Sequence, residues 1–182
     1  MKAMTHQRAG LYTGLIAHSY FIAPFYTEAN TVSRFFMIAL FCISTTIGAL
    51  LPDIDTPSSL LGRFFPLISR SMAKAFKHRT LTHSLLSILL FIFLLSLAPH
   101  LDYGESFYRI IVLGLMVGHI SHILLDLLTP QGVLLFYPLS WKVSIGRIKT
   151  GTFGERLFNH LLTFGTLAYF FLTLNGRELM GF

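Results

Sequence analysis

Charged residues are absent from five stretches of 16 residues or more, and this pattern constrains the fold of the chain more than any other feature. A helix that crosses a bilayer needs roughly 17 to 25 mostly apolar residues. The five stretches contain 19, 18, 22, 16 and 20 residues. They lie at 9–27, 35–52, 80–101, 110–125 and 157–176. The sequence therefore predicts an all-α integral membrane helical bundle of about five spans (four to five).

The overall composition agrees with a location in a bilayer. Asp, Glu, Lys and Arg make up 12% of the 182 residues, and hydrophobic residues make up 53%. Soluble domains average about 25% charged residues, and disordered chains are poor in apolar residues. Both classes are therefore disfavoured, and we expect residues 1–182 to form a single membrane-embedded domain.

The positions of the basic residues predict the orientation of the bundle. With the N-terminus in the cytoplasm, eleven of the 14 Lys and Arg residues fall in cytoplasmic segments, in line with the positive-inside tendency. The net charge of +6 is then explained by orientation and by contact with membrane lipids. The basic run from Arg63 to Arg79 is expected to contact anionic lipid headgroups. No nucleic-acid recognition motif accompanies the charge, so no nucleic-acid partner is predicted.

Acidic residues and histidines from four separate parts of the chain fall at one depth in this topology. Each lies at the cytoplasmic end of a predicted helix. His122 and Asp126 are four residues apart and share one helix face, whereas two acids follow Pro52 at a helix end. The sequence predicts that these side chains form a metal site facing the cytoplasm. The candidate ligands are His6, Asp53, Asp55, His78, His83, His122 and Asp126.

The mixture of residue types limits the metal. Neutral imidazoles and carboxylates suit a divalent ion such as Zn, with Mn or Fe as alternatives. The chain has one cysteine, Cys42, so a thiolate-rich zinc site is excluded. Seven candidates exceed the three protein ligands of one catalytic zinc. Either two ions are bound, or some of the seven side chains orient ligands or move protons.

A hydrolytic reaction would use such a site directly. The metal would acidify a bound water, and a spare carboxylate or imidazole would take the proton. We predict Asp55, His83 and Asp126 as the catalytic residues. Arg79 and Arg63 lie beside the motifs and are predicted to bind an anionic group such as phosphate. Thr80 or Thr82 is expected to cap the third predicted helix.

Three ordered motifs resemble a known family. They are Leu51-Pro-Asp-Ile-Asp-Thr-Pro-Ser-Ser, His78-Arg-Thr-Leu-Thr-His-Ser and Gly118-His-Ile-Ser-His-Ile-Leu-Leu-Asp. Together they are similar to the LexA-regulated, inner-membrane, metal-dependent hydrolase family (YdjM-like), although Thr56 stands where that family often has His. The resemblance implies a metal-dependent hydrolase in the bacterial inner membrane, with the same seven residues at the site. Its His/Asp-rich helical site also looks like that of zinc phospholipase C and related phosphoesterases. A small-molecule or lipid phosphoester is therefore the expected substrate.

Two other functions remain open at this point. In an ion or proton transporter, the same side chains would form a pathway, with ionisable groups distributed across the membrane. In a non-catalytic scaffold, a structural metal would only hold helix ends together. Histidines outside the cluster, namely His18, His119 and His160, are expected mainly to hydrogen-bond between helices.

Overall fold

The computed structural model describes residues 1–23, 30–76, 78–97 and 105–179, and their regular structure is helical. The α-helices are α1 Ala3–Phe21, α2 Thr31–Gly48, α3 Leu60–Phe64, α4 Pro66–Ala75, α5 Leu85–Ser96, α6 Glu105–Leu127 and α7 Phe153–Leu179. Two short 3-10 helices, Leu51–Asp55 and Leu81–His83, follow α2 and precede α5. Val133 and Val143 form an isolated antiparallel bridge, and these ranges contain no strand. The all-α prediction is confirmed.

Each charge-free stretch overlaps one of the longer helices, in the order α1, α2, α5, α6 and α7. Two segments are long and apolar enough to cross a membrane: Thr31–Asp55, with mean hydropathy 2.1, and Phe107–Leu127, with 2.0. Helix α5 is apolar but has only 12 residues. Residues 24–27 and 98–101 of the first and third predicted spans lie outside the described residues. The count of four to five spans and the single domain therefore stay predictions.

The centre of the fold is the packing of α1, α2 and α6 against one another. Small residues let these helices approach closely. A side chain at Gly118 of α6 would overlap the backbone oxygen of Thr45 in α2, and one at Gly10 of α1 would overlap the same carbonyl. Close contact through small residues is typical of helices packed in membranes. It fixes the end of α2 beside the last turns of α6.

The start of α5 differs from the sequence prediction. We expected a cap at Thr80 or Thr82, but the helix begins at Leu85, after the 3-10 helix. The Thr82 hydroxyl donates instead to the Asp55 carboxylate. The amide of Leu85 donates to the backbone oxygen of Leu135, so the loop after α6 supplies a partner for the first turn. The predicted cap is wrong because the Thr82 hydroxyl binds Asp55 and the first turn of α5 has Leu135 as its partner.

The segment between α6 and α7 closes the end of the bundle without forming a helix. The backbone oxygen of Leu127, at the end of α6, accepts from Ile145 and Gly146, and the oxygen of Leu128 accepts from Ile148. These bonds satisfy carbonyls that a helix end leaves without partners. The segment is therefore tied back onto the end of α6 that carries His122 and Asp126.

Replacement of Gly118 by Ala is expected to destabilise the packing of α2 on α6, because the added methyl group meets backbone atoms that cannot rotate away. The free energy of unfolding should fall by about 1 to 3 kcal/mol, the usual cost of overpacking. Thermal unfolding of the purified protein in detergent measures this. Gly154→Ala is the matched control, since its nearest neighbour lies 3.7 Å away. Equal unfolding midpoints for the two variants would contradict the packing described.

Candidate metal centre

Short helical segments and the end of α6 bring acids and histidines together. His122 and Asp126 lie one turn apart near the end of α6. Asp53 lies in the 3-10 helix that begins at Leu51, where a proline ends the regular α-helix. His83 is the last residue of the second 3-10 helix. Residues that are distant in sequence thus meet at one end of the bundle.

Four donor atoms face one another in this cluster. The Nε2 atoms of His83 and His122 are 3.2 Å apart. Asp53 Oδ1 lies 3.9 Å from the first and 3.7 Å from the second. Asp126 Oδ2 lies 3.6 Å from the first and 3.8 Å from the second. Donors around a tetrahedral zinc, at bond lengths of about 2.0 to 2.2 Å, are roughly 3.3 to 3.6 Å apart. The quartet of His83, His122, Asp53 and Asp126 therefore has the dimensions of a metal site.

The hydrogen bonds at Nδ1 determine where the protons of the two imidazoles lie. His122 Nδ1 is 2.7 Å from the backbone oxygen of Ala49, which can only accept, so Nδ1 must carry the proton. Thr82 Oγ1 donates its only hydrogen to Asp55 Oδ2, at 2.7 Å. It can therefore only accept from His83 Nδ1, which lies 3.0 Å away and must carry a proton. Both Nε2 atoms are then unprotonated.

Two lone pairs that face each other at 3.2 Å, beside two carboxylates, repel. A cation between them removes this repulsion, and neutral imidazole with a fixed Nδ1–H is the form in which His binds metal. His83 and His122 are both fully buried, so water relieves the conflict poorly. The arrangement is that of a ligand set whose partner is a positive ion.

Six of the seven predicted ligands fall into two groups, and within each group the donor atoms lie within 4.8 Å of one another. One group is His6, His122 and Asp126, and the other is Asp53, His78 and His83. Each group contains two members of the quartet, so the site has donors for one ion or for two. The chain therefore has His and Asp groups that can hold a metal ion, as the sequence predicted.

Asp55 is the predicted ligand that lies outside both groups. Its Oδ1 is 2.7 Å from His78 Nδ1 and accepts from Thr56 Oγ1 at 3.1 Å. Its Oδ2 accepts from Thr82. Both oxygens are thus engaged in orienting neighbours. The hydrogen bond to Asp55 raises the pKa of His78 above its usual value, although burial acts in the opposite direction.

Arg79 forms an ion pair with a ligand. Its Nη2 is 2.8 Å from Asp126 Oδ2, and its Nη1 donates to Thr129 Oγ1 and to the backbone oxygen of Gly132. The backbone of Arg79 has φ of 67°, a left-handed conformation that is unusual for a long side chain. The other predicted anion-binding residue, Arg63, is exposed on α3 and donates to the backbone oxygen of Ser58.

His6 enters the cluster from α1. Its ring stacks on that of His122 at 3.6 Å, with an angle of 10° between the planes, and its Nε2 lies 3.5 Å from Asp126 Oδ1. The start of α1 is fixed by Glu155, which accepts from the amide of Lys2 at 2.6 Å and from Thr5 Oγ1 at 3.1 Å. Sequence reasoning missed Glu155.

Its position in the sequence could have indicated a role, because Glu155 lies just before the last charge-free stretch, at the predicted cytoplasmic level. It is buried and also accepts from the amide of Gly151. Burial raises the pKa of Glu155, but the donors Gly151, Lys2 and Thr5 outweigh this, so its pKa lies below the usual value. A charged carboxylate is therefore retained at the junction of α1 and α7.

Among the described residues, three histidines lie outside the two ligand groups. His119 Nε2 is hydrogen-bonded to Ser87 Oγ at 2.7 Å, and its ring packs on Phe91, so His119 links α6 to α5. His18 packs near Phe41, with ring centroids 6.0 Å apart. His160 is exposed on α7. The contact of His119 with Ser87 agrees with its structural interpretation, and the hydrogen bonds expected of His18 and His160 stay predictions.

A small cavity gives access to the cluster. It has a volume of about 250 Å³, and its walls include His6, Asp53, His78, Arg79 and Asp126. Typical small-molecule pockets are about 300 to 1,000 Å³. The cavity therefore accommodates a phosphate-sized group, and the rest of a larger ligand would extend outside.

Loss of His122 or Asp126 is expected to abolish metal retention, because each belongs to the quartet and to a ligand group. Affinity should fall by more than about 100-fold, since even changes behind the ligands cost about 10- to 100-fold. Metal content of His122→Ala and Asp126→Ala, measured after reconstitution and desalting in detergent, tests this. His160→Ala is the control and should retain as much metal as wild type. Equal retention in all four proteins would contradict the site.

Comparison with known proteins assigns the family. A family model described as YdjM inner membrane protein matches residues 1–179. YvsG of Bacillus subtilis (strain 168), described as an uncharacterized protein, is 38% identical over 139 residues, which are 76% of this chain and 82% of YvsG. Inner membrane protein YdjM of Escherichia coli (strain K12) is 42% identical over 101 residues, 54% of this chain and 50% of that protein. No solved structure matches the chain significantly. Because the family model matches almost the whole chain, the protein belongs to the YdjM inner membrane protein family.

Proposed function

We propose that this protein is a membrane-bound, metal-dependent hydrolase that acts on a phosphoester or another lipid-borne substrate. The observation that carries the proposal is the pair of unprotonated Nε2 atoms, 3.2 Å apart, between two carboxylates and next to a cavity. Although Arg79 already pairs with Asp126, the two facing Nε2 lone pairs favour a cation between them, and the cavity gives a small anionic group access to it. LexA regulation, which the resemblance implies, is likewise a proposal.

The donors favour zinc, with Mn or Fe as alternatives. Imidazole nitrogens and carboxylate oxygens bind all three ions, and no thiolate lies among the donors. When bound, such an ion supplies a Lewis acid and lowers the pKa of a water ligand to near 7. We assign His83, His122, Asp53 and Asp126 to hold the first ion. His6 lies beside them and is available for a second one.

His78 is the residue we propose as proton acceptor. Its Nδ1 is held by Asp55, so its Nε2 is the free atom, and the side chain is 44% exposed at the cavity wall. A neutral imidazole placed in this way can take the proton that an attacking water loses. Relative to the sequence prediction, Asp55 becomes a positioning residue, and His83 and Asp126 act as ligands.

The cavity wall also explains a preference for anions. Arg79 contributes a guanidinium to the wall, and Arg63 lies nearby at the surface of α3. Arg79 already neutralises Asp126, so the ligand pair carries less negative charge than two free carboxylates. A phosphate group can then approach the ion without strong repulsion. A membrane-lipid partner and a site that faces the cytoplasm are parts of the same proposal.

A structural metal is the second candidate, because His83, His122 and Asp126 are almost completely buried. A closed structural site binds its metal through protein ligands alone. The position of Asp53 favours a catalytic site that a ligand can reach from the cavity, because its side chain is 22% exposed and lines that cavity. The ligand groups lie together at one end of the bundle, which favours either metal function over a pathway through the membrane.

Metal-loaded wild-type protein is expected to hydrolyse members of a panel of phosphate monoesters, phosphate diesters and phospholipids. His78→Gln should lower kcat by about 100-fold or more, because general-base catalysis contributes about 10²- to 10⁴-fold. Its metal content should be unchanged, and His160→Gln should match wild type in both measurements. Bound metal without turnover across the panel would support the structural alternative. Cation flux in proteoliposomes that Asp126→Asn abolishes would support the transporter.

A further inference from the structure

Helices α3 and α4 present apolar side chains outward. Phe64 is 73% exposed and Leu67 is 80% exposed, and Phe65 and Ile68 also face away from the protein. In α4, only Ser69 is fully buried. A soluble surface rarely presents such a contiguous group of large apolar residues. This surface therefore needs an apolar environment.

The residues of α4 are arranged as in a helix that lies in a membrane interface. At about 100° per residue, Leu67, Ile68 and Met72 fall within a stripe of about 140°. Arg70 and Lys74 are one turn apart and border this stripe. Basic residues beside an apolar stripe allow the stripe to enter the acyl region while the charges remain among headgroups.

The charge of this segment selects the lipid. Residues 56–77 contain four basic residues and no Asp or Glu. Three of the four, Arg63, Arg70 and Lys74, are exposed in the structure, and Lys77 lies outside the described residues. An anionic leaflet offers both negative headgroups for these basic residues and an acyl region for the apolar ones. A neutral apolar protein surface would leave these charges without partners.

A second cavity at this surface shares lining residues with the cavity at the metal centre. It is lined by Ser58, Leu60, Arg63 and Phe64 and has a volume of about 470 Å³. Ser58 and Leu60 also line the cavity at the metal centre. The exposed apolar surface thus lies next to the entrance of the site.

We infer that α3 and α4 form a lipid-binding surface that inserts into the headgroup region of an anionic phospholipid leaflet. Its residues are Phe64, Phe65, Leu67 and Ile68, with Arg63, Arg70 and Lys74 as their basic border. The inference does not depend on hydrolysis. If the proposed function also holds, the surface places the entrance of the cavity at the level of lipid phosphates, where a lipid-borne substrate would be found.

Depth-dependent fluorescence in nanodiscs tests this with the full-length protein. In a Cys42→Ala background, Leu67→Cys and Ala73→Cys carry the same environment-sensitive label. Both positions are exposed, and they lie about 120° apart around α4, with Ala73 on the side away from the apolar stripe. The label at position 67 should emit at shorter wavelength and be quenched several-fold more by brominated lipids. The label at position 73 should be quenched mainly by aqueous iodide.

The lipid dependence is tested by adding Arg63→Gln, Arg70→Gln and Lys74→Gln together. Quenching at position 67 should be stronger in discs of phosphatidylglycerol and phosphatidylcholine than in phosphatidylcholine alone, and the triple change should remove this difference. Equal quenching at positions 67 and 73 would overturn the inference. So would a label at position 67 that is shielded from both quenchers, because a protein partner would then cover the surface. None of these results depends on bound metal or turnover.

Discussion

The close approach of two buried imidazoles is the constraint on which the rest of this structure depends. His83 and His122 direct unprotonated Nε2 atoms at each other because each Nδ1–H is already committed, one to Thr82 and one to the backbone oxygen of Ala49. Asp53 and Asp126 add negative charge on either side. Polar groups buried in this way are costly unless they are paired. A divalent cation pairs all four at once, which is why we treat the cluster as a metal centre.

The packing of the helices holds these side chains in position. The Ala49 carbonyl that orients His122 lies directly after α2, and its position relative to α6 is set by the close contact of Gly118 with Thr45. The 3-10 helices then hold Asp53 and His83 at the required distance. Helix α1 closes the cluster with His6, and Glu155 fixes its first turn against the start of α7. Displacement of α2 from α6 would therefore disturb the metal centre as well as stability.

Much of this arrangement could be predicted from the sequence, because charge placement in a membrane protein is tightly constrained. The charge-free stretches located the longer helices, and the level of the acids and histidines indicated which residues would meet. The roles within the cluster could not be predicted. Thr82 was expected to cap a helix, but its hydroxyl links Asp55 to His83, and the backbone oxygen of Leu135 is the partner of the first turn of α5. Glu155 was missed because its partners at Lys2 and Thr5 lie about 150 residues away.

X-ray absorption spectroscopy of the zinc-loaded protein in nanodiscs tests the central claim most directly, because it reports the donors of the ion itself. The structure predicts nitrogen and oxygen donors at about 2.0 to 2.1 Å, with the additional scattering of two imidazole rings. Loss of one imidazole contribution in a His83→Gln variant would support the assignment. A spectrum of hydrated zinc without imidazole scattering, or one with sulfur at about 2.3 Å, would contradict it.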